Sequence, residues 1–290
     1  MVIRAYLESL KLRVGTFIGM AAVLGYLATI PGVPSLSALG LLFVTTVLAA
    51  GGAGALNHYL DRGLDALMPR TAGRPLPSGR IRHGWHVVAL GLGLVGLALS
   101  VALWQFHPLV GLHVFLGAFT YVVVYTIWLK RRTWLNVVIG GLAGSFAVMA
   151  GGSLARPELC LPPLLFGAVL FFWSPSHFWS LAIAYKSEYV GARIPMLPAV
   201  KGEAETARMI LLNTLGLLGA SLLPFVLGLL GPAYLLIGVL PGGSLMLQKN
   251  LRMVRAPSDR RLAMQSFHMS NLFLLLLFLG VVADVILRRL

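Results

Sequence analysis

The chain has 290 residues, of which 58% are hydrophobic and only 11% charged, with a mean hydropathy of +0.86. A soluble domain carries charge on roughly a quarter of its residues, so these figures exclude one and indicate an integral membrane protein. The net charge of +14 does not point to nucleic acid, because lysine and arginine are confined to short links between apolar segments.

Apolar stretches of about 20 residues, enough for a helix to cross a ~30 Å hydrocarbon core, recur along the whole sequence. Runs this long suit helices, whose backbone bonds close within the segment. The expected fold class is an all-α integral membrane protein, a single polytopic domain over 1–290. Nine spans are expected, near 14–32, 36–57, 84–105, 109–128, 134–154, 162–184, 207–230, 232–248 and 267–287. The opening MVIRAYLESLKLR is mixed in charge and lacks the form of a cleaved leader. With the N-terminus inside, the links alternate: 20 of the 23 basic residues fall inside, and only Arg156, Arg288 and Arg289 fall outside. The positive-inside rule therefore places the N-terminus and the long loops 58–83 and 185–206 at the cytoplasmic face of the cell membrane. The glycines of GGAGALN (Gly51, Gly52, Gly54) and IGGLAG (Gly140, Gly141, Gly144) permit close helix packing or leave room for a bound molecule.

The end of the second span reads NHYLDRGLDALMPRTAGRPLPSG, Asn57 to Gly79. On a continuing helix Asn57, Asp61 and Asp65 share a face at i, i+4 and i+8. Like charges at that spacing repel, so a helix gains from them when a cation lies between. Their hard oxygens suit Mg²⁺, which takes further ligands from phosphate, and Arg62, Arg70 and Arg74 suit the phosphate oxygens. Ion pairs in an ordinary solvated loop are the competing explanation. RPLPSG reads as a turn that ends the helix and folds Arg74 back.

Lys130-Arg131-Arg132, after the fourth span, is a topology anchor that also borders this face; Asn136 beside it is ambiguous. The sixth span carries HFWSLAIAYKSEYVGARIPMLPAVKG, His177 to Gly202, where Lys186, Glu188 and Arg193 follow an intramembrane His177. An imidazole there is costly unless satisfied, so it is either functional or bonded to a neighbouring helix. Phe171, Phe172, Trp173, Phe178 and Trp179 fit a core or a substrate wall. His58 adjoins the acidic patch as a supporting group; His83, His86, His107, His113 and His268 carry no evident chemistry. The lone Cys160 can form no internal disulfide and is a poor start for a metal site.

The Asn57–Gly79 stretch resembles the N-x-x-x-D-x-x-x-D signature and trailing R-T-x-x-R-P-L-P-S-G of the UbiA superfamily of membrane prenyltransferases. LKRRTWLNVVIGGLAG and SPSHFWSLAIAYKSEYVGARIPMLPAVKG resemble the branch of that superfamily that farnesylates protohaem IX, and the likeness covers nearly the whole chain. The resemblance implies nine helices around a central cavity open to the cytoplasmic side and to lipid. It implies Mg²⁺ and the diphosphate of farnesyl diphosphate at Asn57, Asp61 and Asp65, and His177 and Glu188 among the catalytic residues. Arg62, Arg70, Arg74, Lys130, Lys186 and Arg193 would bind the diphosphate. Haem O would be the product, formed with addition of water, and haem-biosynthesis or oxidase-assembly proteins are conceivable partners. The sequence departs from the pattern in four places. Lys186-Ser187-Glu188-Tyr189 stands where Lys-x-Asp-Tyr is usual and Pro175-Ser176 where Pro-Pro is usual; GSFAVMAGG lacks a Pro-Pro kink; and Lys11-Leu12 replaces Lys-Pro. The second aspartate-rich motif common in the superfamily is missing. A prenyltransferase with an aromatic or quinone acceptor is the nearest alternative, and a transporter using intramembrane aspartates is the alternative from another class.

Overall fold

The computed structural model describes residues 2–288; Arg289, expected outside, lies beyond them. Among the described residues the chain is all-helical. A short α1 (Val2–Ser9) precedes α2 (Leu12–Thr29) and α3 (Leu36–Leu60). The short α4 (Arg62–Ala66) and α5 (Pro69–Ala72) fold the first long loop before α6 (Gly84–Gln105). Next, α7 (Pro108–Phe119) runs on as a π-helix over Thr120–Leu129, and α8 (Asn136–Gly140) is followed by α9 (Leu142–Ala155) and α10 (Leu161–Ala184). After α11 (Lys186–Gly191) come α12 (Leu197–Val226), a π turn at Tyr234–Val239, α13 (Leu240–Arg255) and α14 (Arg260–Leu287).

Local chemistry sets several of these ends. Ser35 Oγ accepts the Ala38 N–H at 3.3 Å to cap α3, and Asp259 Oδ1 accepts the Arg261 N–H at 2.8 Å to cap α14. His107 Nδ1 accepts the Leu109 N–H at 3.2 Å, with Pro108 in the first helical position of α7. The α12 backbone turns sharply at Gly202 (φ 81°), a left-handed conformation that suits glycine. Helical structure therefore begins before the expected 207, within what reads in the sequence as loop.

Among the described residues eight helices are long and apolar enough to cross a membrane. The expected span at 232–248 is the π turn plus α13, a continuous helical stretch packed on α14 and α12. Gln248, Lys249, Asn250, Arg252 and Arg255 make it too polar to rank with the others.

In the bundle α2 packs against α3, α9 and α14; α3 packs on α6, α7 on α9, and α10 on α9, α12 and α14. Glycine decides how near two of these pairs come. A Cβ on Gly25 would lie 2.0 Å from Val148 O, and one on Gly151 only 1.8 Å from Ala22 O, so α2 and α9 touch through bare backbone. Gly52 and Gly91 repeat the arrangement between α3 and α6. Gly54 faces Leu10, and Gly140, Gly141 and Gly144 face Tyr125, Ser174 and Leu170, so these glycines serve packing rather than open space.

Polar side chains tie the second half together. Ser180 and Ser266 hydroxyls meet at 2.8 Å, Ser266 donates to Asn250 Oδ1 at 2.5 Å, Asn250 Nδ2 donates to Thr214 Oγ1 at 2.9 Å, and Thr214 meets Ser176 at 3.3 Å. This ladder links α10, α12, α13 and α14 inside an apolar bundle, where unpaired polar groups are expensive.

Candidate active site

Asn57, Asp61 and Asp65 lie at the C-terminal end of α3 and in α4, each at most 4% exposed. The Asp61 N–H donates to Asn57 O at 2.9 Å, and the Asp65 N–H to Asp61 O at 2.8 Å. The helical register thus runs through the junction, and the three side chains share a face as their spacing predicts.

Basic residues from three other segments converge on that face. Lys130 Nζ contacts Asp61 Oδ2 at 2.5 Å, and Arg74 NH1 donates to both Asp65 oxygens at 2.9 and 2.8 Å. Asn57 Nδ2 donates to Asp61 Oδ2 at 2.8 Å and to Thr126 Oγ1 at 2.9 Å. Lys11 Nζ donates to Asn57 Oδ1 and lies 3.4 Å from the Tyr121 hydroxyl. Arg74 arrives because the RPLPSG turn folds back: Ser78 donates to Arg74 O at 2.6 Å and Thr71 to Asp65 O at 2.9 Å. Leu76 N–H is 3.4 Å from His58 Nε2, so His58 supports the turn.

The sequence reading missed Lys11, Tyr121 and Thr126. Lys11 holds a left-handed backbone (φ 51°) between α1 and α2, an uncommon conformation for a residue with a Cβ. Burial first, and the Arg74 charge second, lower its pKa to about 7. The Glu8–Arg80 pair, at 2.7 and 2.9 Å, ties the end of α1 to the first long loop; the bonds from Arg80 hold the Glu8 carboxyl below its ordinary pKa. Tyr121 and Thr126 depend on the π register. Residues five apart in an α-helix point about 140° apart, whereas i→i+5 bonding stacks them, and Thr126 Oγ1 indeed donates to Tyr121 O at 2.7 Å. The same register ends at Lys130, whose N–H donates to Tyr125 O at 2.9 Å. A lysine beside a span reads as a topology anchor and a π-helix has no simple sequence signal, so neither was visible beforehand.

The second long loop packs on the first. Leu64 and Met68 share an apolar cluster with Trp179, Tyr189, Ile194, Met196 and Met253. Arg70 lies 5.1 Å from the Tyr185 ring, and burial pushes the neighbouring Tyr189 phenol above its usual pKa. Lys186 pairs with Glu203 at 3.5 Å. The Glu188 Oε2 atom is buried without a hydrogen-bond partner among the described residues, as are Asn136 Oδ1 and Trp179 Nε1. Two candidate arginines stand apart: Arg62 donates to Tyr59 O at 2.7 Å and stacks on that ring at 4.0 Å, and Arg193 is exposed in a left-handed turn (φ 53°).

His177 lies deeper in α10. Its Nδ1 meets Ser270 Oγ at 2.7 Å, and its ring lies between Trp173 and Phe267 with both centroids at 4.3 Å. The imidazole is thereby satisfied by α14, leaving Nε2 as the nitrogen outside that bond.

Of the three cations at the centre, Lys11 hydrogen-bonds no carboxylate. Two carboxylates thus lie among three basic groups in a buried setting, an imbalance that favours a bound anion. The oxygens of Asn57, Asp61 and Asp65 match the hard donor set of a magnesium ion that keeps water and phosphate oxygens as its other ligands. A helical bundle of membrane-spanning length with a buried centre of carboxylates and basic groups at one end defines a polytopic membrane protein with a charged site suited to an anion and a metal ion.

Comparison with known proteins makes that class specific. Residues 18–279 match the UbiA prenyltransferase family, and the chain belongs to it. It is 46% identical over 279 residues to protoheme IX farnesyltransferase 2 of Paramagnetospirillum magneticum, covering 96% of this chain and 95% of that one. It is 44% identical over 285 residues to protoheme IX farnesyltransferase 1 of the same organism, covering 98% and 99%. A UbiA homologue from Archaeoglobus fulgidus bound to DMAPP and Mg²⁺ shares the fold with a TM-score of 0.67 at 15% identity, over 96% of this chain and 99% of that one.

Proposed function

We propose that this prenyltransferase moves the farnesyl group of farnesyl diphosphate onto a vinyl group of protohaem IX and, with addition of water, yields haem O. The observation that carries the donor half is the convergence of Lys11, Arg74 and Lys130 on the buried face of Asn57, Asp61 and Asp65. The acceptor rests on the likeness to the two farnesyltransferases.

Asn57, Asp61 and Asp65 would hold Mg²⁺, which when bound supplies charge neutralisation for the leaving diphosphate. Lys11, Arg70, Arg74 and Lys130 clamp the diphosphate oxygens, and Arg62, Lys186 and Arg193 at the rim add attraction for the incoming anion. As the allylic C–O bond breaks, these cations stabilise the charge accumulating on the departing diphosphate. The vinyl carbon of the porphyrin attacks C1 of the farnesyl group, leaving a cation beside the ring that water captures. Glu188, with a buried oxygen lacking a partner, receives the proton lost from that water. His177 positions the acceptor through Nε2, its plane fixed by Trp173, Phe267 and Ser270. The carboxylate end faces the cytoplasm, in keeping with the positive charge gathered there.

Membranes containing the chain, given farnesyl diphosphate, Mg²⁺ and haem B, are expected to form haem O, detectable by mass. Diphosphate release without haem O, together with prenylation of an added quinone precursor, would overturn the acceptor assignment and leave the donor site standing.

A further inference from the structure

A cavity of 510 Å³ opens at the end of the bundle opposite the carboxylates. Its position follows from helix direction: α2 starts beside Lys11 and ends at the cavity, α10 starts at the cavity and ends under the second loop, and α14 ends there. Leu27, Ile30, Leu161 and Val285 give it apolar walls, and Arg156 and Arg288 line it too. Among the described residues these two are the only lysines or arginines at that end.

Topology alone does not ask for them, because it concentrates positive charge at the other face. The two exceptions share one cavity. Arg288 is held in place by Asp284, at 2.8 Å from Nε, and by Leu229 O, at 2.9 Å from NH1. Asp284 is buried and also accepts the Gly231 N–H at 2.8 Å. NH2 of Arg288 is outside these bonds. Arg156 leaves the end of α9 in extended conformation (φ −144°) and is exposed, with no ion pair to the exposed Glu158 among the described residues. Guanidinium groups beside an apolar wall, at the end of the helices long enough to span a membrane, match a phosphate headgroup joined to a hydrocarbon chain. The volume lies within the usual ~300–1,000 Å³ of ligand pockets.

We propose that this cavity binds an anionic phospholipid of the leaflet opposite the carboxylate site, with its phosphate on Arg156 and Arg288 and its chain along Leu27, Ile30, Leu161 and Val285. The reading is independent of the reaction at the other end.

The test uses the full-length protein, delipidated in detergent and titrated separately with phosphatidylglycerol, phosphatidylcholine and inorganic phosphate, with binding followed by native mass spectrometry. Phosphatidylglycerol is expected to occupy one site roughly tenfold more tightly than phosphatidylcholine. The double variant Arg156→Gln, Arg288→Gln should bind both lipids alike. Because losing Arg288 strands Asp284 and endangers folding, Arg156→Gln alone and the cavity-filling Ala28→Trp are measured beside it. Each should weaken phosphatidylglycerol binding severalfold while circular dichroism stays unchanged. Equal binding of the two lipids by the unaltered chain, or an unchanged preference in both Arg156→Gln and Ala28→Trp, overturns the proposal. So does displacement of the lipid preference by millimolar inorganic phosphate, which would mark a site for a free anion.

Discussion

Asp61 and Asp65 differ from surface carboxylates in being buried together, one answered by Lys130 and the other by Arg74, whose NH1 donates to both of its oxygens. On the proposed reaction, alanine at either position removes a group that holds the metal and the diphosphate. Turnover should fall at least ~100-fold while the protein still extracts from membranes as a folded species, and near-normal turnover would sink the metal assignment. Lys11 makes a sharper case, since hydropathy marks it only as a residue flanking a span and the family likeness only as the lysine of an altered Lys-Pro pair. Because its Nζ meets an amide oxygen and a phenol rather than a carboxylate, and burial holds its pKa at about 7, a bound anion is the partner that would stabilise its charge. Lys11→Met is expected to raise KM for farnesyl diphosphate by about tenfold and leave KM for haem unchanged. For His177 the expected split is the reverse: His177→Ala weakens haem use more than farnesyl diphosphate use. Unchanged KM values for both substrates would reduce the residue to its bond with Ser270.

The elements were legible where apolar length alone decides them. The expected span at 84–105 coincides with α6, and most other ends fall within a few residues. Long-range packing set the exceptions. The fourth span holds the π stretch that brings Tyr121, Thr126 and Lys130 to the site, and nothing in TYVVVYTIWL distinguishes it from an ordinary α-helix. The α2–α9 contact is equally invisible, because nothing in the sequence separates the glycines that face open space from those, such as Gly25 and Gly151, that meet a neighbouring backbone. Gly151→Ala is expected to cost about 2 kcal/mol or more through overpacking, read as a lowered unfolding midpoint in detergent; an unchanged midpoint would mean that the helices separate without penalty. Asn250→Ala should cost on the order of 1 kcal/mol, as it strips Ser266 and Thr214 of a shared partner.

At the scale of the molecule, Asp61, Asp65 and 20 of the 23 basic residues gather toward one end, and the two described exceptions line a cavity at the other. Cys160, the only cysteine, lines that same cavity and provides a natural reporter of orientation. Burial raises its thiol pKa, so labelling is best run at alkaline pH. An impermeant maleimide applied outside intact cells should modify it. In a Cys160→Ser background, Ser78→Cys should react only after permeabilisation, and the opposite pattern would invert the topology.

The sequence by itself determined the membrane class, the run of helices, the shared face of Asn57, Asp61 and Asp65, and the gathering of charge at one end. These follow from hydropathy and periodicity, which act over one helix at a time. Only the tertiary structure decided which cation answers which carboxylate, that Lys11 joins the centre while Arg62 turns to Tyr59, and that His177 is satisfied by α14. Those outcomes depend on how near two helices come, and that distance is set by backbone contact at a few glycines and by the register of a π turn.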